Sequence, residues 1–440
     1  MSTIFAPITS EIPSAVSVIR ISGPDATQLL DVFSLGQKVK PRFAYYSDFI
    51  YEGQLIDNGL FIYFKGPYSF TGEDVIEFNL HGSPAILKEF LKILSSLDGF
   101  SFAAPGEFSK RAFLNGKMDL LQAEAVNDLV KAGTRLQSDQ ALKQLKGNVS
   151  VIYNTWRDNL INMLAILEAY IDFPDDDIEL EIVDQITIKL NDMNAAISEF
   201  LNDNKAGCKI SNGIKIALIG KTNAGKSSLL NELAGRDVAI VSDIAGTTRD
   251  VIDVELDLGG LAVILSDTAG IRESQDVIEN IGIKKAIFTA QNADLRILLL
   301  DGGAILSEDD LTNENVKEGD LIIVNKEDIL NKSNQDLIAK YKLNTVSTKT
   351  KSGINELINL IQERIKSEFN WGKGYAISKE RHINEIENIV KYLNRFDLTN
   401  DLILACENLR LAANCLSRIT GKIDIEDILD KIFKEFCIGK

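Results

Sequence analysis

The eight residues GKTNAGKS, from Gly220 to Ser227, have the spacing of a loop that binds phosphate groups. Glycines in such a loop let successive backbone N–H groups turn toward an anion at the start of a helix. Lys226 can place its charge on the outer phosphates, and the Ser227 hydroxyl can bind Mg²⁺. The loop follows the strand-like run GIKIALI and precedes the helical run SSLLNELAG. It therefore predicts a nucleoside triphosphate site and disfavours a chance glycine-rich turn.

An Asn-Lys-x-Asp sequence at the end of another strand-like run predicts that the base is guanine. Its members are Asn325, Lys326 and Asp328. One carboxylate can accept hydrogen bonds from both the ring N–H and the exocyclic amine of guanine, a pair that adenine cannot supply. The stretch from Ser347 to Lys349 would complete the base pocket. Together with the phosphate loop, these motifs predict a GTPase.

Two further segments predict how the site senses the last phosphate. Asp267 ends the run LAVILSD, where a carboxylate can hold the Mg²⁺ shell, and Gly270 can offer its backbone N–H to that phosphate. In AGTTRD, residues 245–250, a threonine hydroxyl can bind Mg²⁺ only while the last phosphate is present. The spacing predicts an order–disorder switch here and disfavours a simple Gly-Thr turn.

The residue after Asp-Thr-Ala-Gly is unusual for a GTPase. Many switch GTPases carry a glutamine there that orients the attacking water, whereas this chain has Ile271, which has no donor or acceptor. Just downstream lie Arg272 and the carboxylates Glu273, Asp276 and Glu279. Spacing does not choose among the three, because most exposed helix carboxylates are merely solvated.

The elements that position these motifs alternate between strand and helix. From Gly213 to about residue 373 the strand-like runs are GIKIALIG, VIDVELDL, LAVILSD, LRILLLD and LIIVNK. This alternation predicts a mostly parallel α/β sheet. Residues 1–118 mix short apolar runs with turn residues and predict a separate N-terminal α/β domain.

Two helical stretches flank the nucleotide domain. Apolar residues with helical spacing are Leu160, Leu164, Leu167 and Ile171 in the first, and Ile383, Ile386, Val390 and Leu393 in the second. The acidic run at 172–184 predicts a solvated loop between helices. We predict a helical domain formed by residues 119–212 and 374–440, whose halves pack together, with a Ras-like P-loop GTPase domain (213–373) inserted between them.

Composition limits the classes of function. A length of 440 residues suggests about three domains, and a net charge of −17 argues against nucleic-acid binding through bulk electrostatics. Four cysteines without a Cys-x-x-Cys pair, and two histidines, leave little for a zinc site and no disulfide framework. The first residues lack the pattern of a signal peptide, and no run approaches membrane-spanning length. We expect a cytoplasmic protein.

Several stretches together resemble the MnmE (TrmE) family of tRNA wobble-uridine modification GTPases. They are RISGPDA, SFTGEDVIEFNLHG, PGEFSKRAFLNGKMDLLQAEAV, GKTNAGKSSLLNELAGR, DIAGTTRD, DTAGIRE with IENIGI, and the C-terminal FCIGK. The resemblance spans all predicted domains. It implies a cytoplasmic homodimer without a membrane role that forms a heterotetramer with an FAD-dependent partner of the MnmG (GidA) type. Together they would form 5-carboxymethylaminomethyl or aminomethyl uridine at the tRNA wobble position from a folate one-carbon unit.

The resemblance also assigns the ion and nucleotide contacts. K⁺ would replace an arginine finger, and its ligands would be Asn223, Ser242, Thr247 and the Ile244 carbonyl. Thr248 would join Ser227 on Mg²⁺, and Glu279 would orient the attacking water through a bridging water. A cation beside the phosphates stabilises charge as an arginine would. The implied GTP-binding residues are Asn223, Ala224, Gly225, Lys226, Ser227, Ser228, Ser242, Asp243, Ile244, Ala245, Gly246, Thr247, Thr248, Asp267, Thr268, Ala269, Gly270, Asn325, Lys326, Asp328, Ser347, Thr348 and Lys349.

In the family the N-terminal domain binds 5,10-methylene- or 5-formyl-tetrahydrofolate near the dimer interface. The matching positions are Arg20, Glu77, Lys117 and Lys440. The three cations suit a glutamyl tail or a carbonyl, and the carboxylate can accept from a pterin amine. Two departures from the family are present. The run SEIPSAVSVIR lacks glycines that often precede the arginine, and Thr222 replaces a proline that is frequent in the phosphate loop, which should loosen that loop slightly.

Cys437, in the C-terminal CIGK, does not fit a prenylation signal. The resemblance places its thiol near the folate and implies a catalytic role; the alternative is a buried packing residue. We predict that Cys406 and Cys415 are core residues.

Two other functions remain as alternatives. One is a ribosome-assembly GTPase switch without modification activity, which would normally bring a basic RNA-binding domain, and none is visible in the sequence. The other is a folate aminomethyl-transfer enzyme with an incidental nucleotide domain, which the full set of guanine motifs disfavours.

Overall fold

The structure is a computed structural model that describes residues 2–9, 13–36, 38–172, 180–236, 239–240, 253–267, 288–312, 316–317, 319–368, 376–398, 401–423, 429, 432–434 and 436–439; for residues 180–184 and 267 it describes the backbone only. The chain divides into two compact units. One comprises residues 1–127, 145–162 and 413–440, and the other residues 128–144 and 163–412.

The first unit contains a six-stranded sheet in the order β3-β4-β5-β2-β1-β6. Its strands are β1 (Thr3–Pro7), β2 (Ser14–Ser22), β3 (Ala44–Tyr51), β4 (Gln54–Phe64), β5 (Val75–Gly82) and β6 (Phe100–Phe102). The accompanying helices are α1 (Leu29–Val32), α2 (Pro84–Ser96) and α3 (Glu107–Leu114). β1 and β6 pair in parallel, and the other pairs are antiparallel. The predicted N-terminal α/β domain is confirmed.

One face of this sheet carries an aromatic core. Phe33 stacks on Phe90 of α2 with ring centroids 4.6 Å apart, and Phe78 of β5 lies against both rings. Side chains alternate along a strand, so the residues between the buried ones point to the opposite face. Arg20 lies between buried Ile19 and Ile21 and therefore belongs to that second face.

Further helices follow this domain. They are α4 (Leu120–Lys131), α5 (Arg135–Leu145), α6 (Asn148–Asp172), α7 (Leu180–Asn204) and α8 (Gly207–Asn212), with α13 (Glu380–Asn394) and α14 (Leu402–Thr420) after the nucleotide domain. In α6 the side chains of Leu160 and Leu167 are buried and that of Ile166 is exposed, which confirms the amphipathic pattern. α7 packs against α13, and the Asn194 amide donates to the Asn394 side chain at 2.6 Å. The predicted packing of the two helical halves is therefore confirmed.

The acidic run at 172–184 is not a loop throughout. Residue 172 ends α6 and residues 180–184 begin α7. Acidic residues are favourable near a helix N-terminus, where the backbone N–H groups carry partial positive charge. The loop prediction was wrong for residues 180–184. It took the acidic residues as a sign of a solvated loop and did not consider that they also suit the first turn of a helix.

The second unit contains a sheet in the order β12-β11-β10-β7-β9-β8. Its strands are β7 (Ile214–Ile219), β8 (Asp253–Leu258), β9 (Leu261–Asp267), β10 (Leu295–Asp301), β11 (Leu321–Asn325) and β12 (Asn344–Thr345). Its helices are α9 (Lys226–Ala234), α10 (Asp309–Thr312), α11 (Lys332–Tyr341) and α12 (Ile354–Glu368). β8 pairs antiparallel with β9, and the remaining pairs are parallel. All five predicted strand runs are confirmed, and the carboxyl ends of β7, β10 and β11 meet at one edge.

None of the helices among the described residues is long and apolar enough to span a membrane.

Candidate functional site

The phosphate loop connects the end of β7 to the first residue of α9. Three of its residues have positive φ: Gly220 with 147°, Asn223 with 66° and Gly225 with 94°. Asparagine tolerates this region better than most residues, and glycine has no steric cost there. A Cβ on Gly225 would also collide with the side-chain nitrogen of Asn325, and one on Gly220 with the carbonyl oxygen of Leu299. The glycines therefore permit a close approach between the loop and the neighbouring strand ends.

Lys226 lies buried at the centre of this loop. Its ammonium donates to the carbonyl oxygens of Gly220, at 2.7 Å, and Lys221, at 3.0 Å. These carbonyls hold the charged group inside the turn of the loop, where phosphate oxygens can become additional acceptors. Ser227 follows at the start of α9, as the predicted Mg²⁺ role requires.

Asn325 joins the base-binding motif to the phosphate loop. Its buried amide donates to the Ala224 carbonyl oxygen at 2.9 Å, and its side-chain oxygen accepts from the Thr348 backbone N–H at 3.3 Å. One side chain therefore ties together three segments, with Ala224 lying 101 residues and Thr348 23 residues from Asn325 in the sequence. Since its side chain bonds to both neighbouring segments, Asn325 organises the site.

Asp328 is prepared to accept hydrogen bonds from a base. The Ser347 hydroxyl donates to Oδ1 at 2.7 Å, and the Lys349 ammonium lies 3.8 Å from Oδ2. The Ser347 hydrogen bond is the main reason that the pKa of Asp328 is held below its usual range, and the nearby Lys349 lowers it further. The carboxylate therefore remains charged and able to bind both guanine N–H groups.

Two residues that the sequence did not single out support this site. Asp301, at the end of β10, accepts from the Lys326 ammonium at 2.7 Å. Asp310 of α10 lies 2.7 Å from the Lys221 ammonium, which is the main cause that lowers the pKa of this carboxyl. Asp301 could have been found from its place at the end of LRILLLD. No local signal in the sequence connects Asp310 to the phosphate loop.

Part of the predicted site lies outside the described residues. This part contains Ser242, Asp243, Ile244, Ala245, Gly246, Thr247, Thr248, Thr268, Ala269, Gly270 and Glu279, together with the carboxylates Glu273 and Asp276 and Lys440. Asp267 ends β9, as predicted, and only its backbone is described. All the K⁺ and Mg²⁺ ligands, including Asn223 and Ser227, and the water-orienting acid therefore stay predictions.

In the N-terminal sheet, two of the predicted folate residues form a pair. Arg20 of β2 and Glu77 of β5 are direct register partners, and Nε of Arg20 donates to Glu77 Oε1 at 2.8 Å. The guanidinium carbon of Arg20 lies 5.0 Å from the ring centroid of Phe70 and 5.6 Å from that of Phe108. Both rings attract the cation and fix its plane.

Lys117 lies apart from this pair and donates to the Pro67 carbonyl oxygen at 2.8 Å. A cavity of about 480 Å³ occurs in the same unit, but it is lined by Ser2, Ala104, Pro105, Glu107, Lys110, Arg111, Leu114, Phe433 and Lys434. None of the three described folate residues lines it.

The C-terminal tail lies against the first strand of this sheet. Cys437 accepts at its carbonyl oxygen from the Gly106 backbone N–H at 3.4 Å, and a Cβ on Gly439 would collide with the Pro7 carbonyl. Cys437 is exposed, so the packing alternative for this thiol is wrong. Cys406 and Cys415 are buried, which confirms both as core residues.

The phosphate loop, the Asn-Lys-x-Asp motif and the parallel strands whose carboxyl ends carry them define a P-loop GTPase that binds GTP. The family description "GTP-binding protein TrmE N-terminus" matches residues 3–117, and "MnmE helical domain" matches residues 120–437. The tRNA modification GTPase MnmE of Rickettsia conorii (strain ATCC VR-613 / Malish 7) is 44% identical over 446 residues and covers 100% of both chains. The protein of the same name from Rickettsia bellii (strain OSU 85-389) is 43% identical over 448 residues, with the same coverage.

Among solved structures, the G domain of the T. maritima FeoB iron transporter covers 35% of this chain and 98% of its own, with 23% identity and a TM-score of 0.25. The full-length relatives carry the assignment. The chain belongs to the MnmE family of tRNA modification GTPases.

Proposed function

We propose that this chain is a potassium-activated GTPase that acts on tRNA as a cytoplasmic homodimer together with an FAD-dependent partner of the MnmG type. The pair forms 5-carboxymethylaminomethyl or aminomethyl uridine at the wobble position with a folate one-carbon unit. The relatives that match over the full length are tRNA modification GTPases. Within the chain we assign residues 1–118 to the folate-binding and dimerisation domain, 119–212 and 374–440 to the helical domain, and 213–373 to the GTPase domain.

The observation that carries this proposal is the presence of two different charged sites in one chain. The second unit holds a guanine nucleotide site, which we call the nucleotide cradle. It consists of the phosphate loop (220–227) and residues 325–328 and 347–349, and Asn325 connects the base motif to the phosphate loop. The first unit holds the Arg20–Glu77 pair on the sheet face opposite the aromatic core, where Phe70 and Phe108 lie over the guanidinium. A simple GTPase switch needs the cradle only. A second charged site is what a GTPase that also handles a one-carbon donor requires.

The cation sites are assigned by donor chemistry. Ser227, with Thr248, would hold Mg²⁺, and hydroxyl oxygens suit this hard cation. Asn223, Ser242, Thr247 and the Ile244 carbonyl would hold K⁺. Asn223 fits this role, because its left-handed backbone leaves it exposed on the rim of the phosphate loop. The bound ions would supply positive charge against the phosphates as negative charge develops in the transition state.

Hydrolysis also requires a group that orients water, since Ile271 cannot. We assign this role to Glu279, with Glu273 and Asp276 as the alternatives.

Replacing Na⁺ with K⁺ should increase the hydrolysis rate, and Asn223→Lys should remove this response. Glu279→Ala should slow single-turnover hydrolysis about a hundredfold with little change in GTP affinity. Equal rates in the two salts would contradict the role of K⁺, and a normal rate for Glu279→Ala would move the role to a neighbouring carboxylate.

The folate derivative would be held by Arg20, Glu77, Lys117 and Lys440, and it would supply the one-carbon unit. The guanidinium and ammonium groups suit the glutamate carboxylates, and Glu77 suits a pterin amine. The described tail supports this assignment, because Gly439 packs on Pro7 and Pro7 pairs with Ile19, next to Arg20. Cys437 lies on the same tail with its thiol exposed, which suits a catalytic role near the one-carbon unit.

The decisive experiment is mass spectrometry of tRNA nucleosides from cells that lack this chain. We expect loss of the modified wobble uridine and its recovery when the wild-type chain is supplied. The Asp328→Asn variant, whose GTP affinity should be strongly reduced, should fail to restore it. Intact modification in the deletion strain would refute the proposal, and ribosomal-subunit precursors in that strain would favour the assembly-factor alternative.

A further inference from the structure

A buried group of charged side chains lies next to the proposed folate residues, and two of its members, Arg111 and Glu107, also line the cavity described above. Arg111 of α3 donates through one terminal nitrogen to both carboxylate oxygens of Glu73, at 3.2 Å each, and through the other to Glu107 at 2.9 Å. The first nitrogen also donates to the Ser2 carbonyl at 2.8 Å. The side chains of Arg111 and Glu73 are only 8% and 14% exposed.

This group fixes the loop between β4 and β5, residues 66–74. Glu73 accepts from the Ser22 hydroxyl at 2.6 Å, and that hydroxyl also lies 2.7 Å from the Thr71 hydroxyl. The Asn115 amide donates to the Thr71 carbonyl at 2.7 Å. Strand β2, the loop and the region of α3 are thereby connected through a hydrogen-bonded network with Glu73 and Arg111 at its centre.

The same loop contacts two of the proposed folate residues. Phe70 lies over the Arg20 guanidinium, and the Pro67 carbonyl accepts from the Lys117 ammonium. The loop therefore determines the plane of one cation and the position of the other. A small change in its backbone would move both groups relative to the Arg20–Glu77 pair.

We propose that Glu73 and Arg111 are positioning residues of the folate site, which hold loop 66–74 so that Arg20 and Lys117 are oriented toward a pterin–glutamate ligand. This inference rests on the proposed function. A buried ion pair adds little net stability compared with apolar side chains of the same volume, because both charges lose their water. Its fixed geometry does orient the groups that it bonds. The planar guanidinium of Arg111 bonds Glu73 through one nitrogen and Glu107 through the other, which fixes its orientation more strictly than a point charge would.

The test is calorimetric titration of the full-length protein with 5-formyl-tetrahydrofolate. Glu73→Gln keeps the shape of the side chain and removes its charge, and Arg111→Lys keeps the charge and removes the fork. Each should weaken folate affinity about tenfold while the GTP hydrolysis rate stays unchanged. Glu89→Gln, on α2 in an exposed pair with Lys92, is the matched control and should bind folate as the wild type does.

A second pair of variants separates positioning from folding. Phe70→Leu removes the ring from the Arg20 guanidinium and should weaken folate binding, whereas Phe70→Tyr keeps the ring and should restore it. Hydrogen exchange of the amides in residues 66–74 should become faster in Glu73→Gln.

The possible outcomes are distinct. If the wild-type protein does not bind 5-formyl-tetrahydrofolate, the proposed function is wrong. If the wild type binds it and Glu73→Gln and Arg111→Lys bind equally well, the inference is overturned. If those two variants do not fold, the folate affinities of Phe70→Leu and Phe70→Tyr are the deciding measurement. Equal affinities of these two variants would overturn the inference.

Discussion

The nucleotide cradle and the proposed folate site differ in how their polar side chains are held in place. In the cradle, short segments at the carboxyl ends of parallel strands meet at one edge, and each polar side chain is held by a neighbouring loop. In the N-terminal unit, Arg20 and Glu77 lie on two adjacent antiparallel strands, 57 residues apart in sequence, and form an ion pair with each other.

This difference affects how each site meets its ligand. In the cradle, Asn325 supports the loops and Asp328 receives one hydroxyl hydrogen bond, so its other acceptor positions can receive guanine. The Arg20–Glu77 pair already satisfies part of its own bonding. A ligand there must add to this ion pair or replace it, and we expect its affinity to depend more strongly on how the surrounding loop is positioned.

The largest expected effect tests whether the cradle recognises guanine through one carboxylate. Asp328→Asn should weaken GTP affinity about a hundredfold to a thousandfold, because the amide offers a donor where the base requires an acceptor. Binding of a fluorescent GTP analogue measures it. Asp336→Asn, on the exposed side of α11, is the control. An affinity within threefold of wild type would show that the base is recognised elsewhere.

The next prediction tests whether the cradle depends on the close approach of two loops. Gly225→Ala should weaken GTP binding about thirtyfold, because the new Cβ would meet the Asn325 amide and the backbone has φ 94°. Gly235→Ala is the matched control, since its φ is −81° and its nearest neighbour is 3.4 Å away. The same titration compares them, and equal loss in both would point to a general effect on α9.

A smaller effect should distinguish the sheet-face site. Arg20→Lys keeps the charge but loses the planar contact with Phe70 and Phe108, so folate affinity should fall about tenfold. GTP affinity should not change. Arg135→Lys, at a largely exposed arginine, serves as the control. If Arg20→Lys binds folate like the wild type, the planar cation is not part of the site.

The smallest effect concerns pH. The Ser347 hydroxyl holds the pKa of Asp328 below its usual range, so guanine binding persists as the pH falls until it passes through that lowered value. In Ser347→Ala the pKa rises, and the acid loss of GTP affinity should begin at a higher pH. At neutral pH the affinity should fall only about threefold. Ser352→Ala, on the same loop, should leave the pH profile unchanged, and identical profiles for all three proteins would contradict the role of Ser347.

The sequence predicted the elements that local pattern controls. The five strand runs of the second sheet occur where apolar runs and flanking loops placed them. Parallel strands buried on both faces are nearly continuous in apolar residues, and the antiparallel edge strand β8 alternates polar and apolar residues. The phosphate loop was also predictable from local sequence, because the glycines that its turn requires lie within GKTNAGKS itself. The acidic run at 172–184 was misread, because helix ends favour charges that composition alone assigns to solvent.

Long-range partners had no such signal. Nothing near Lys221 indicates Asp310, and nothing near Glu73 indicates Arg111, because each pair depends on a chain reversal that brings distant segments together. The pairing of Arg20 with Glu77 likewise required the register of β2 on β5.

By itself the sequence determined the order of the motifs, the alternation of strands and helices, and the resemblance that identified the family, because these depend on residues close together in the chain. Only the tertiary structure decided which charges are paired, which carbonyls hold Lys226, and that the loop at 66–74 lies on Arg20. Such contacts depend on strand register and on the packing of α3. A shift of one residue in the register would exchange the buried and exposed faces of a strand.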